Sequence, residues 1–399
     1  MRIAVAGGGT AGAAAALFLA RDGHRVELFE RVAAPGTVGT GILLQPTGLA
    51  ALRELGVYDA ALAHGARVGR LYGETACGRA VMDLHYRDWR ADAFGLGMHR
   101  GTLFSLLWNA LAPAGVALHG GCEIREIAAE SGGLHALAGA DGRRYTGFDA
   151  VVIADGTRSR LRACCFPEAR AAPYPWGALW AILPDPGRRF ADTLEQRYRG
   201  TRQMAGILPT GRLPGDATPL VSLFWSLRNS DLEACRATGL DAWKDSVTSL
   251  WPQLGGLIAQ IERFDQLAFA QYSDVRLPAW HRGAIAIIGD AAHATSPQLG
   301  QGANLALLDA RVLRDCLREL AEPGPAFASY SRRRRAHLRY YQFASRWLTP
   351  LFQSDSRVAG WARDACMGPL ARFPGAALHF QRTLVGVKTG LVFGALVVD

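Results

Sequence analysis

Three glycine-containing segments carry most of the chemistry legible in this chain. They are Gly7-Gly8-Gly9-Thr10-Ala11-Gly12, Asp155-Gly156-Thr157-Arg158-Ser159, and a run from Gly289-Asp290 to Asn304. In the first, Gly7 permits a tight turn, Gly9 lets backbone approach a pyrophosphate, and Gly12 lets the next helix pack closely on a strand. Thr10 and Ala11 open that helix, whose free amides and positive dipole end would face phosphates. Glu30, followed by Arg31, ends the next apolar stretch, where its carboxylate can accept hydrogen bonds from a ribose. Strand, glycine turn, helix, strand and terminal carboxylate, in that order, make a dinucleotide site.

The elements that must hold these residues follow from periodicity. Residues 3–6 read as a buried parallel strand, the Ala-rich run to Arg21 as a helix, and 25–30 as a second strand. Gly39-Thr40-Gly41-Ile42-Leu43-Leu44-Gln45-Pro46 then leads into a helix over 47–55, and His99-Arg100-Gly101-Thr102-Leu103 opens another. Asp141-Gly142 predicts a hairpin, and 148–154 a buried strand that delivers Asp155. Residues 284–288 form a further apolar strand before Gly289, and the sequence ALLDARVLRDCL is the helix after it. Residues 166–274 contain Trp176, Trp180, Phe190, Tyr198, Phe224 and Trp225 and read as an inserted, mostly antiparallel sheet. Most of these aromatics are expected in the core.

Taken together, these segments resemble the FAD-dependent aromatic hydroxylases, the single-component (group A) flavoprotein monooxygenases related to para-hydroxybenzoate hydroxylase. The third segment carries the resemblance furthest: G-D-A-A-H, a proline four residues on, then G-Q-G-x-N, all matched from Gly289 to Asn304. A Pro46-Thr47-Gly48 triplet departs from the family's Pro-Asn-Ala. The resemblance implies an α/β fold: a Rossmann-like FAD-binding domain, an inserted antiparallel substrate domain and a C-terminal helical segment. The expected division is 1–75, 96–165 and 275–330 for FAD, 76–95 and 166–274 for substrate, and 331–399 for the helices.

It also implies roles. Arg100 would lie against the FAD, and Asp155 and Gly156 under its pyrophosphate. Arg158 would support NADH- or NADPH-linked function. Asp290 can bind ribityl or ribose hydroxyls, while Gly300, Gly302, Ala303 and Asn304 bring backbone amides that can stabilise charge on a reduced flavin. Gly7, Gly9, Thr10, Ala11, Gly12, Glu30 and Arg31 complete the expected cofactor set, and Pro297 is expected beside the flavin in a positional role. The reaction implied is NAD(P)H- and O2-dependent hydroxylation of an aromatic or electron-rich apolar molecule through a flavin C4a-hydroperoxide. No base that would ionise a phenol is identified; Tyr198, His85, Arg197 and Tyr272 are conceivable, and each also has a structural reading. The alternatives are an FAD-dependent reductase or oxidase of a quinone-like or prenyl substrate and, less favoured, a flavin-dependent halogenase. Against the halogenase, the spacing from Trp176 to Pro184 is wrong and no lysine precedes Lys244.

Composition sets the outer bounds. With 399 residues, 49% hydrophobic and 20% charged, the chain has material for two or three domains and is not a disordered protein. The formal charge is +9, with only Lys244 and Lys388 as lysines, and Arg332-Arg333-Arg334-Arg335 is the one basic run. That run is expected as a solvated helix face, and nucleic-acid binding is set aside. Contact with a membrane surface is the less favoured reading of the Arg-rich and apolar C-terminus, and 380–393 could instead close the pocket. Seven cysteines without metal-ligand spacing argue against a metal site and fit a reducing, cytoplasmic setting. A monomer or homodimer is expected.

Overall fold

In a computed structural model, the chain is described at residues 1–34, 36, 39–371, 373–391 and 394–397. Phe393, at the end of the stretch expected to close the pocket, lies outside the described residues.

A six-stranded sheet runs in the order His281–Arg282, Ile285–Ile287, Ala150–Ile153, Arg2–Ala6, Arg25–Glu30, Ala117–Gly120. All its pairings are parallel except the first. Its central strands are apolar along their length because they are covered, by helix Thr10–Arg21 and by the hairpin strand Arg144–Phe148, whose Tyr145 and Phe148 rings meet Phe29. The Ala-rich helix Thr10–Arg21 packs against the long helix Gly302–Glu319. The run expected as one strand at 148–154 is divided: Phe148 ends the hairpin strand Arg144–Phe148, and Ala150–Ile153 turns into the parallel sheet.

A second, seven-stranded sheet runs Ala268–Arg276, Arg170–Pro184, Leu220–Arg228, Gln203–Gly211, Thr193–Arg199, Arg70–Thr75, Ala80–His85. It is antiparallel except where Thr193–Arg199 pairs with Arg70–Thr75. Arg70–Thr75 had been expected in the FAD-binding part. Its alternating burial and its pairing on both edges place it in this sheet instead. One face of the sheet is covered by helix Leu240–Leu250 and Trp251, against the core of Leu179, Ile207, Leu223 and Trp225. Of the aromatics expected in the core, Phe190 and Trp225 are buried there, Tyr198 and Phe224 are buried in a separate cluster with half-buried Trp180 packed against it, and Trp176 is buried.

Helices Pro323–Phe352, Arg357–Leu370 and Pro374–Leu384 finish the chain. The expected boundary at 331 therefore falls inside the first of them. The arginine run it carries is not uniformly solvated: Arg332, Arg333 and Arg335 are exposed, whereas Arg334 is buried beside Asp309. Helical period explains this, since position 334 falls on the same inward face as Ser331, His337 and Leu338. Among the described residues, no helix is long and apolar enough to cross a membrane, and no cluster could hold a metal ion.

Candidate active site

A cavity of about 560 Å³ runs between the two sheets, within the ordinary size range of ligand pockets. One end is a glycine-lined cradle. Gly7, at φ +106°, crosses so close to Ala154 that a Cβ would stand 2.4 Å from its carbonyl oxygen, and a Cβ on Gly12 would stand 1.9 Å from the Gly7 oxygen. Gly9 is different: no atom lies within 4 Å of where its Cβ would be, so the backbone there faces open cavity. Gly156 is equally open. Two of the first three fingerprint glycines thus allow chain crossings, and Gly9 leaves room for a bound group.

The expected residues divide between lining and support. Gly9, Thr10, Ala11, Arg100, Gly156, Asp290, Pro297, Gly300, Gly302 and Ala303 line the cavity, with Asp290 close to the start of helix Gly302–Glu319. Gly7, Gly12, Glu30, Arg31, Asp155, Arg158 and Asn304 do not. Glu30 is held at its strand end by the amides of Gly8 (2.8 Å) and Val32 (2.9 Å). Asp155 is largely buried with Oδ1 unpartnered, and burial pushes its carboxyl up. Asn304 is a clasp: its Oδ1 accepts from Gln45 N at 2.8 Å, and its Nδ2 donates to the Leu43 and Gly300 oxygens, both at 3.1 Å. Arg158 and Arg31 are exposed. Arg162 ties the second fingerprint to the third through the Thr157 and Ala291 oxygens, both at 3.0 Å.

The residues suit FAD. Two helix N-termini, an open glycine backbone and Asp290 meet along one cavity, and two buried amides there have an unused polar atom. Gln45 accepts from Tyr86 Oη (2.6 Å) and leaves Nε2 without a partner; Gln301 donates to the Leu384 oxygen (2.7 Å) and leaves Oε1 without one. Unpaired buried polar atoms are costly, which suits a site completed by a bound group.

Behind the cradle lies a buried chain that sequence reasoning missed. His293 Nε2 meets Asp309 Oδ2 at 2.5 Å, and Arg334 Nε donates to Asp309 Oδ1 at 2.7 Å. Arg334 also donates to His337 Nδ1 (2.8 Å), whose Nε2 donates to the Gly386 oxygen (2.7 Å). Burial works to raise the Asp309 carboxyl, but His293, Arg334 and the Gly289 amide outweigh it and hold it well below the usual range. Burial, reinforced by Arg334, pushes His337 down to about 3, so it is neutral. The available signal was Asp309 itself, a carboxylate amid ALLDARVL that no surface position accounts for.

The other end of the cavity is apolar. Leu71, Met82, Trp180, Met204, Phe224 and Phe352 are among its walls, the last contributed by the C-terminal helices. Tyr272 also lines it; its Oη accepts from Trp180 Nε1 at 3.0 Å, and burial pushes the phenol up to about 12. Tyr198 is buried below the surface of this wall, while Arg197 pairs with Glu74 and His85 with Asp83. None of those three lines the cavity.

A family model described as an FAD binding domain matches residues 1–341, and the chain belongs to that family. It is similar to a probable 2-heptyl-3-hydroxy-4(1H)-quinolone synthase from Rhodococcus erythropolis, 28% identical over 387 residues, covering 95% of this chain and 94% of that one. It is also similar to a 6-hydroxynicotinate 3-monooxygenase from Pseudomonas fluorescens, 27% identical, with 84% and 87% covered. In fold it matches the tetrameric form of 2-methyl-3-hydroxypyridine-5-carboxylic acid oxygenase, with TM-score 0.79, 24% identity and 96% of each chain covered. The resemblance to FAD-dependent aromatic monooxygenases is thereby shown.

Proposed function

We propose that this FAD-dependent monooxygenase hydroxylates a neutral, apolar N-heteroaromatic ring of the alkylquinolone type, with NADH or NADPH as electron donor and O2 as oxygen source. The observation that carries the substrate class is the charge of the cavity. Among the described lining residues the ionisable groups are Arg100, Asp290, His293 and Tyr272. Arg100 stands beside the Gly39 and Thr40 backbone on the cofactor side, Asp290 is at the cradle, and His293 is committed to Asp309. A ring carboxylate would be desolvated at the apolar end with no cation to pair it, a large cost. The 6-hydroxynicotinate and pyridinecarboxylic acid relatives act on such acids; the quinolone relative is named for a neutral ring with an alkyl chain.

Bound FAD supplies the two-electron reduction and oxygen-transfer chemistry, one oxygen atom going to the ring and the other to water. The chain does the rest. The Gly9 backbone and the helix starting at Thr10 would hold the FAD pyrophosphate, and Asp290 a sugar hydroxyl. Pro297 and the Gly300–Gly302 turn would lie beside its ring system, and Arg158, exposed at the second fingerprint, would meet the nicotinamide donor. Tyr272 stays protonated and, with its oxygen already accepting from Trp180, has its proton free to donate to the substrate's ring oxygen. The apolar walls exclude water.

The test is product mass with 18O2 on a 2-alkyl-4(1H)-quinolone and on 6-hydroxynicotinate. Gain of one labelled oxygen by the quinolone supports the proposal. Turnover of the acid alone overturns the substrate class, and a two-hydrogen change without oxygen overturns oxygenation.

A further inference from the structure

The positive charge of this chain is concentrated at one end. Residues 331–399 contain eleven of the 44 Lys and Arg and three of the 35 Asp and Glu, a net +8, which leaves +1 for residues 1–330. The same region carries unusual apolar exposure: Trp347 is 68% exposed, Trp361 71%, Val358 74% and Phe373 65%. Tryptophan is normally well covered, and two such residues on adjoining helices are not scattered surface noise.

Charge and aromatics share one stripe. On helix Pro323–Phe352, Arg332, Arg335, Arg339, Phe343 and Trp347 follow each other at spacings of three and four, so they lie along one outward face. Among the described residues, no carboxylate forms an ion pair with Arg335, Arg339 or Arg357, unlike Arg333, which meets Glu319. The inward faces of the same helices line the cavity through Leu348, Phe352, Met367 and Phe380. The helices therefore separate the apolar end of the cavity from an outer surface that is aromatic and basic.

We propose that this outer face binds the surface of an anionic phospholipid bilayer, with the tryptophans seated at headgroup level and the arginines on the lipid phosphates. A protein partner would need an acidic surface matched to three helices, and a second copy of this chain would set the exposed Arg335, Arg339 and Arg357 against the same arginines. An anionic bilayer satisfies both halves of the pattern, since amphipathic rings favour the interface and each nearby basic residue adds electrostatic attraction. The inference holds whatever the cavity's substrate proves to be.

Purified flavin-loaded enzyme would be sedimented with phosphatidylcholine vesicles and with mixed phosphatidylcholine and phosphatidylglycerol vesicles, at low and high salt. Binding is expected to the anionic vesicles alone, weakened by salt and accompanied by a blue shift of tryptophan emission. The W347S/W361S variant should abolish the shift, and R335E and R339E should each weaken binding roughly fivefold, with flavin content unchanged in all three. No sedimentation with anionic vesicles at low salt overturns the proposal. So does a dimer in light scattering that W347S/W361S dissolves while vesicle binding is absent.

Discussion

At the scale of single residues, the cradle separates glycines that serve the fold from those that serve a ligand. Gly9→Val puts a side chain into open cavity, so flavin content after purification should fall at least tenfold while the melting temperature of the apoprotein is nearly unchanged. Gly12→Val must drive a Cβ into the Gly7 carbonyl, so the same two measurements should show loss of folded protein instead. If both variants lose flavin equally and melt alike, the distinction fails. Tyr272→Phe removes the hydrogen bond proposed to the substrate, worth roughly 1 kcal/mol, and leaves Trp180 Nε1 without its acceptor; KM should rise about fivefold, with flavin content retained. An unchanged KM would place the phenol in the wall only.

Between elements, the Asp309–Arg334 pair joins the helix that begins at the cradle to the first C-terminal helix, and His337 extends the tie to Gly386. Breaking one member of a buried pair leaves an uncompensated charge, which costs about 3 to 5 kcal/mol. Asp309→Asn and Arg334→Leu should each therefore lower denaturant stability strongly, and the double variant should recover part of the loss. Additive losses in the double variant would show that the two side chains act separately. Arg158→Ala, by contrast, alters an exposed turn, and stopped-flow reduction by NAD(P)H should slow while FAD affinity holds.

For the whole molecule, the buried network sets a direction of pH dependence. His337 is about 3 in the folded protein against an ordinary 6.5, so the unfolded chain takes up a proton first as pH falls. Stability from this group is complete above about pH 6.5 and is lost progressively toward pH 3. Asp309, also held low when folded, loses its contribution in the same direction as pH falls through the carboxylate range. Melting temperature should decline on acidification from neutrality, and His337→Gln should flatten the upper part of that decline. A profile identical to that of the parent would remove His337 from the account.

The local order of strand, glycine turn and helix was legible in residues 1–30, and the third fingerprint likewise, because short-range sterics demand glycine where chains cross or a ligand approaches. Apolar periodicity likewise marked the parallel strands and the aromatic sheet. Several things depended on contacts between segments far apart in the chain. Arg70–Thr75 joins the second sheet because a strand's partner, not its own pattern, decides its sheet. Asn304 turns its side chain to Leu43 and Gln45, some 260 positions earlier, and becomes a clasp although its motif suggested cofactor contact. One arginine of four falls on the inward face by helical period, but its meeting there with Asp309 of another helix is a pairing no spacing could announce. The neutrality of the substrate end emerged only when walls from the sheet and the C-terminal helices met around one space. Sequence determines which backbone conformations and faces are available; tertiary packing decides which distant charges meet, and so which side chains remain free to act.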